Sequence, residues 1–122
     1  MGPGVLVVED DPNVRVVLDE LLHDQGLDVM SVGDDLSAYQ ALGQDAARFR
    51  VLLTDVNLGG ATDGFDVARR ARSLNSDIAV IFITGNPIEP ARFNKADGVM
   101  LHKPLNLMAL ADMINTAAHR PH

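Results

Sequence analysis

The sequence predicts a doubly wound α/β domain, with a five-stranded parallel sheet covered by helices on both faces. Short runs of β-branched residues and leucine alternate with helical patterns from one end of the chain to the other, which calls for parallel strands joined by right-handed crossovers. The strand runs are apolar throughout rather than alternating, as expected where both faces of a sheet are covered. The length of 122 residues suits one core without a disulfide or metal staple, so residues 1–122 are taken as one domain.

Val5 to Val8 is the first apolar run. Asp11-Pro12 then begins a helix, with Asp as the cap and Pro at the first helical position. Val14, Val17, Leu18, Leu21 and Leu22 follow at the spacing of one helix face, and Gly26 closes it. Leu27 to Val32 is a second, more mixed strand. Gly33, Asp34 and Asp35 form a polar break, the two aspartates reading as surface turn or cap residues. Leu36, Tyr39, Ala41 and Leu42 outline a shorter helix. Val51 to Thr54 is the third strand, ending at Asp55. The small-residue loop Gly59 to Gly64 leads into a helix that turns Phe65, Ala68 and Ala71 inward. Ile78 to Ile83 is the most apolar strand, stopped by Thr84-Gly85-Asn86-Pro87. Gly98 to Leu101 is the fifth, ahead of Lys103-Pro104, and Leu107, Leu110, Ala111, Ile114 and Ala118 make the last helix. Between the fourth and fifth strands, Pro87 and Pro90 leave room only for a short helix or irregular loop around Ala91 to Lys95.

Composition narrows the function classes. The absence of cysteine removes zinc-thiolate sites, redox pairs and disulfides, and suits a reducing, cytoplasmic setting. A formal charge of −7 argues against a surface that grips a phosphate backbone, so no direct nucleic-acid binding is expected. With 47% hydrophobic and 22% charged residues the chain is neither disordered nor membranous.

Chemistry belongs beyond the carboxyl ends of the strands in such sheets. There the sequence places Glu9-Asp10-Asp11, Asp55, Thr84 and His102-Lys103. Asp11 is better explained as the helix cap. Carboxylates packed together repel, and a hard divalent cation is their natural relief; an all-oxygen set with few protein ligands suits Mg²⁺. Asp55 is left as a nucleophile able to form an acyl phosphate. Lys103 and the Thr84 hydroxyl supply charge and a donor for the phosphoryl oxygens.

These residues resemble the receiver domain of two-component response regulators. The resemblance covers essentially the whole chain and rests on Val7 to Asp11, Leu53 to Asn57, Phe82 to Gly85, Asp63-Gly64 and Lys103-Pro104. It implies the flavodoxin-like receiver fold, with Asp55 as phosphoacceptor and Mg²⁺ held by Glu9, Asp10, Asp55 and the backbone carbonyl of Asn57. It further implies that Thr84, Lys103 and the backbone N–H groups of Val56 and Gly85 bind the phosphoryl group. A histidine kinase or histidine phosphotransferase would donate it, and a downstream protein would read the changed surface. The Lys103-Pro104 bond is expected to be cis. With every residue spent on the receiver, no effector domain is expected, and the chain would be a stoichiometric carrier rather than an enzyme.

Three departures stand out. Met100 replaces the aromatic usual three residues before the lysine, so a ring rotating behind Thr84 is not available. The chain between Thr84 and Lys103 is short, which points to reordering of Pro87 to Asp97 on activation. The loop after Asp55 has Gly59-Gly60 in place of the usual proline. A phosphate-independent pseudo-receiver, or a receiver segment of a larger regulator or hybrid kinase, therefore stays open. An aspartyl phosphatase is disfavoured because Asn57 stands where its acid/base aspartate should be. A flavin site is disfavoured by the total of five Phe and Tyr residues and the lack of a phosphate-cradling loop.

Overall fold

The computed structural model describes residues 2–85 and 98–120. Its sheet contains β1 (Gly4–Val8), β2 (Asp28–Val32), β3 (Phe49–Asp55), β4 (Ala79–Thr84) and β5 (Val99–His102). All pairings are parallel, in the order β2-β1-β3-β4-β5. The helices are α1 (Pro12–Asp24), α2 (Asp35–Asp45), α3 (Gly64–Leu74) and α4 (Leu107–Ala118), with a 3-10 turn at Ala46–Arg48. This is the expected doubly wound architecture, and strand limits differ from the sequence reading by a residue or two. The expectations for Pro87 to Asp97 lie outside the described residues.

Alternation along each strand divides the core into two layers. Val5, Val7, Val51, Leu53, Ile81 and Ile83 pack with Leu18 and Leu22 of α1 and Leu110, Ile114 and Ala118 of α4. Leu6, Val8, Leu52, Val80 and Phe82 face the other way, onto Ala38, Ala41 and Leu42 of α2 and Phe65, Ala68 and Ala71 of α3. The apolar runs are continuous because each layer takes every second residue.

Local chemistry fixes where the helices begin and end. Asp11 caps α1 through the Asn13 N–H at 2.9 Å, and Pro12 follows it. At the far end Gly26 adopts φ +81°, while its N–H reaches His23 O and that of Leu27 reaches Leu22 O, a Schellman closure. Asp34 caps α2 by accepting from Ser37 N–H, and Asp63 forms a capping box with Asp66 on α3.

Three expected placements are corrected. Val17 is 45% exposed, because the buried stripe of α1 is centred on Leu18 and Leu22 and Val17 lies about 120° from that centre at ~100° per residue. Leu36 is 69% exposed, since it sits about 160° around α2 from buried Ala38. Asp35 is not a surface residue: it shares the inward face with Ala38, Ala41 and Leu42 and is 4% exposed.

Candidate functional site

Register brings the strand ends level. Val8 is opposite Thr54, Asp55 opposite Ile83 and Thr84 opposite His102, so the residues that end or follow β1, β3, β4 and β5 meet at one edge. Two backbone bonds continue the ladders past the strands: Glu9 N–H to Val32 O at 3.0 Å and Lys103 N–H to Thr84 O at 2.8 Å. The second holds Lys103 beside Thr84, and the Lys103-Pro104 peptide bond is cis. Asp10, Asp55, Asn57, Ile83, Thr84, Gly85 and Lys103 line a cleft of about 180 Å³ there.

Ligand oxygens of Glu9, Asp10 and Asp55 lie within 4.8 Å of one another. Glu9 is 1% exposed and Asp55 4%, while Asp10 is open to solvent. Lys103 Nζ stands 3.5 Å from Asp55 Oδ1 and 3.6 Å from Glu9 Oε1. Burial raises the Asp55 carboxyl pKa, and the Lys103 ammonium partly offsets that rise. Among the described residues, one ammonium against three ionised carboxylates leaves two negative charges, which one divalent cation would balance. Both Glu9 oxygens are buried and meet no hydrogen-bond donor among the described residues, a costly arrangement for a carboxylate unless a cation or its water completes it. The donor set thus fits a hard ion such as Mg²⁺.

The structure brings together the expected Glu9, Asp10, Asp55, Asn57, Thr84, Gly85 and Lys103. One expectation is placed differently. The Val56 N–H, expected among the phosphoryl donors, is engaged by Ile83 O at 2.9 Å, because the β3–β4 ladder runs one residue past Asp55. Met100, opposite Phe82 in the sheet, packs under the α2/α3 layer.

Sequence reasoning missed the shell behind these groups. Arg15 Nη1 donates to the Glu9 carbonyl at 2.9 Å, tying the turn with Asp10 to α1. Buried Asp35 accepts from Thr62 N–H at 3.0 Å and Thr62 Oγ1 at 2.7 Å, and the Tyr39 hydroxyl lies 2.7 Å from Thr62 Oγ1. These bonds join α2 to the loop after Asp55. A signal was present: of two successive aspartates only one can cap a helix, and Asp35 falls on the face of Ala38 and Leu42.

The family model for the response regulator receiver domain matches residues 5–115. The chain belongs to the response regulator receiver family. The receiver protein CpdR of Brucella abortus is 33% identical over 113 residues, an alignment covering 90% of this receiver and 92% of CpdR. The transcriptional regulatory protein AruR of Pseudomonas aeruginosa is 35% identical over 113 residues, and the receiver spans 45% of its length. Among solved structures, the receiver domain of the hybrid histidine kinase CckA superposes with a TM-score of 0.81 at 27% identity, covering 95% of this chain and 99% of that one. Receivers of two-component systems bind Mg²⁺ at an acidic pocket and interact with histidine kinases or phosphotransfer proteins, and this chain carries the corresponding acidic group. No helix among the described residues is long and apolar enough to cross a membrane.

Proposed function

We propose that this receiver takes a phosphoryl group from a phosphohistidine of a histidine kinase or histidine phosphotransferase onto Asp55, in the cytoplasm, and signals through a changed protein-binding surface. The observation that carries the reading is the convergence of Glu9, Asp10 and Asp55 within 4.8 Å, with Lys103 Nζ at 3.5 Å from the acceptor. Glu9, Asp10, Asp55 and the Asn57 backbone carbonyl would hold Mg²⁺, which when bound neutralises charge on the phosphoryl oxygens.

This chain's own residues account for the rest. An Asp55 carboxylate oxygen attacks phosphorus; the O–P bond forms as the P–N bond to imidazole breaks, and the electron pair of that bond returns to the ring nitrogen. Lys103 pairs with the transferring oxygens, and the Thr84 hydroxyl and Gly85 N–H, on the wall of the cleft, donate to them. Gly85 has no side chain to block the partner's histidine. The domain ends the step phosphorylated, so it acts as a stoichiometric carrier and not as a turnover enzyme. The net charge of −7 favours a protein over a nucleic acid as the direct output partner.

Incubation with Mg²⁺ and acetyl phosphate, followed by intact-mass analysis, tests the reading. It predicts an added mass of about 80 Da, one phosphoryl group, absent in Asp55→Asn and in EDTA. No adduct, together with no beryllofluoride-induced change, would sink it in favour of a phosphate-independent interaction module.

A further inference from the structure

Asn57 sits on the loop that runs from the end of β3 to the start of α3, two residues past the strand that carries Asp55. The base of that loop is closed by Gly64 N–H to Val56 O at 2.7 Å, and Asn57 Oδ1 accepts from Gly59 N–H at 3.2 Å. Its middle, Gly59 to Ala61, is exposed and includes Gly59 at φ +69°. Beyond that stretch the Asp35 carboxylate of α2 grips Thr62 by backbone and side chain together, and Tyr39 closes on the same hydroxyl. The loop backbone rests directly on this carboxylate: a Cβ at Gly60 would stand 2.6 Å from Asp35 Oδ1.

We propose that the Asp35–Thr62–Tyr39 clasp is a positioning element for the cation site: by fixing the loop at Thr62 it presents the Asn57 carbonyl. Asp35, Thr62 and Tyr39 are positioning residues that touch neither cation nor phosphoryl group. The inference rests on the proposed cation site and adds to it a reason for a buried carboxylate that the phosphotransfer chemistry does not use. Ligands held by an outer shell lose affinity when that shell is cut. Thermodynamic linkage requires the converse, so cation binding tightens the clasp.

The test is isothermal titration of the full chain with MgCl₂, with circular dichroism as the check on folding. Thr62→Val keeps size, formal charge and the backbone bond to Asp35 while removing the hydroxyl, so it cuts the clasp without removing a carboxylate. Thr62→Val and Asp35→Ala are expected to raise the Mg²⁺ Kd about tenfold, with Thr62→Ser restoring it to within about twofold. Tyr39 is the single tyrosine in a chain without tryptophan, so its emission should change on Mg²⁺ saturation in the wild type and not in Thr62→Val. A folded Thr62→Val protein with the wild-type Kd would overturn the inference even if Asp35→Ala failed to fold. If the wild type binds Mg²⁺, Asp10→Asn does not and Thr62→Val is unaffected, the clasp role falls alone. A wild type that binds no Mg²⁺ removes the site and the clasp role together.

Discussion

Asp35 and Asp55 are both 4% exposed, yet their surroundings are opposite. Asp35 is met by donors: the Leu36 N–H, and the N–H and hydroxyl of Thr62. Those hydrogen bonds, the Thr62 hydroxyl foremost, hold its pKa below the ordinary carboxyl value. Asp55 is met by Glu9, Asp10 and, among the described residues, a single ammonium at 3.5 Å, and burial pushes its pKa up. Equal burial therefore says little about a carboxylate's role. Where the chain satisfies the charge, the residue ties elements together. Where the chain gathers charge, and oxygens such as those of Glu9 meet no donor among the described residues, the site waits for a ligand.

The largest separation between the two regions should come from Mg²⁺ itself. At a Mg²⁺ concentration about 100-fold above Kd, the wild type should gain ~2.7 kcal/mol in stability by mass action. Asp10→Asn should lose nearly all of that gain, whereas Asp35→Asn should keep a substantial part of it. Urea melts with and without Mg²⁺ measure both, and equal losses in the two variants would erase the distinction.

Acidification gives a smaller, signed effect. Because the folded pKa of Asp35 is depressed, its contribution to stability is full above the ordinary aspartate value near 4 and is lost as pH falls through the lower folded value. The stability gap between wild type and Asp35→Asn should thus be constant near pH 7 and close toward pH 2. Urea midpoints across that range measure it, and a gap that widened on acidification would contradict the hydrogen-bonded carboxylate.

The two regions were also unequally legible in the sequence. Asp55, Thr84 and Lys103 are punctuation at the ends of apolar runs, so finding the strands finds the site. Glu9 and Asp10 follow β1 in the same way. Asp35 was hidden because its partner is 27 residues away in a loop with no periodicity, and because Asp34, next to it, does take the surface cap. Val17 and Leu36 were misplaced for a related reason: spacing defines a stripe, but only packing decides where its centre lies. The engagement of Val56 N–H by Ile83 O depends on how far a ladder runs past the strand, which no residue type announces.

The same Asp→Asn change at both positions, read by urea denaturation at pH 7 in metal-free buffer, tests the comparison most directly. Asp55→Asn removes a buried charge crowded by like charges and should raise the midpoint, by about 1 kcal/mol in stability. Asp35→Asn removes a charge that the chain has satisfied and should lower it. Midpoints moving in opposite directions are the predicted result; midpoints that both fall, or an Asp35→Asn protein more stable than wild type, would contradict it.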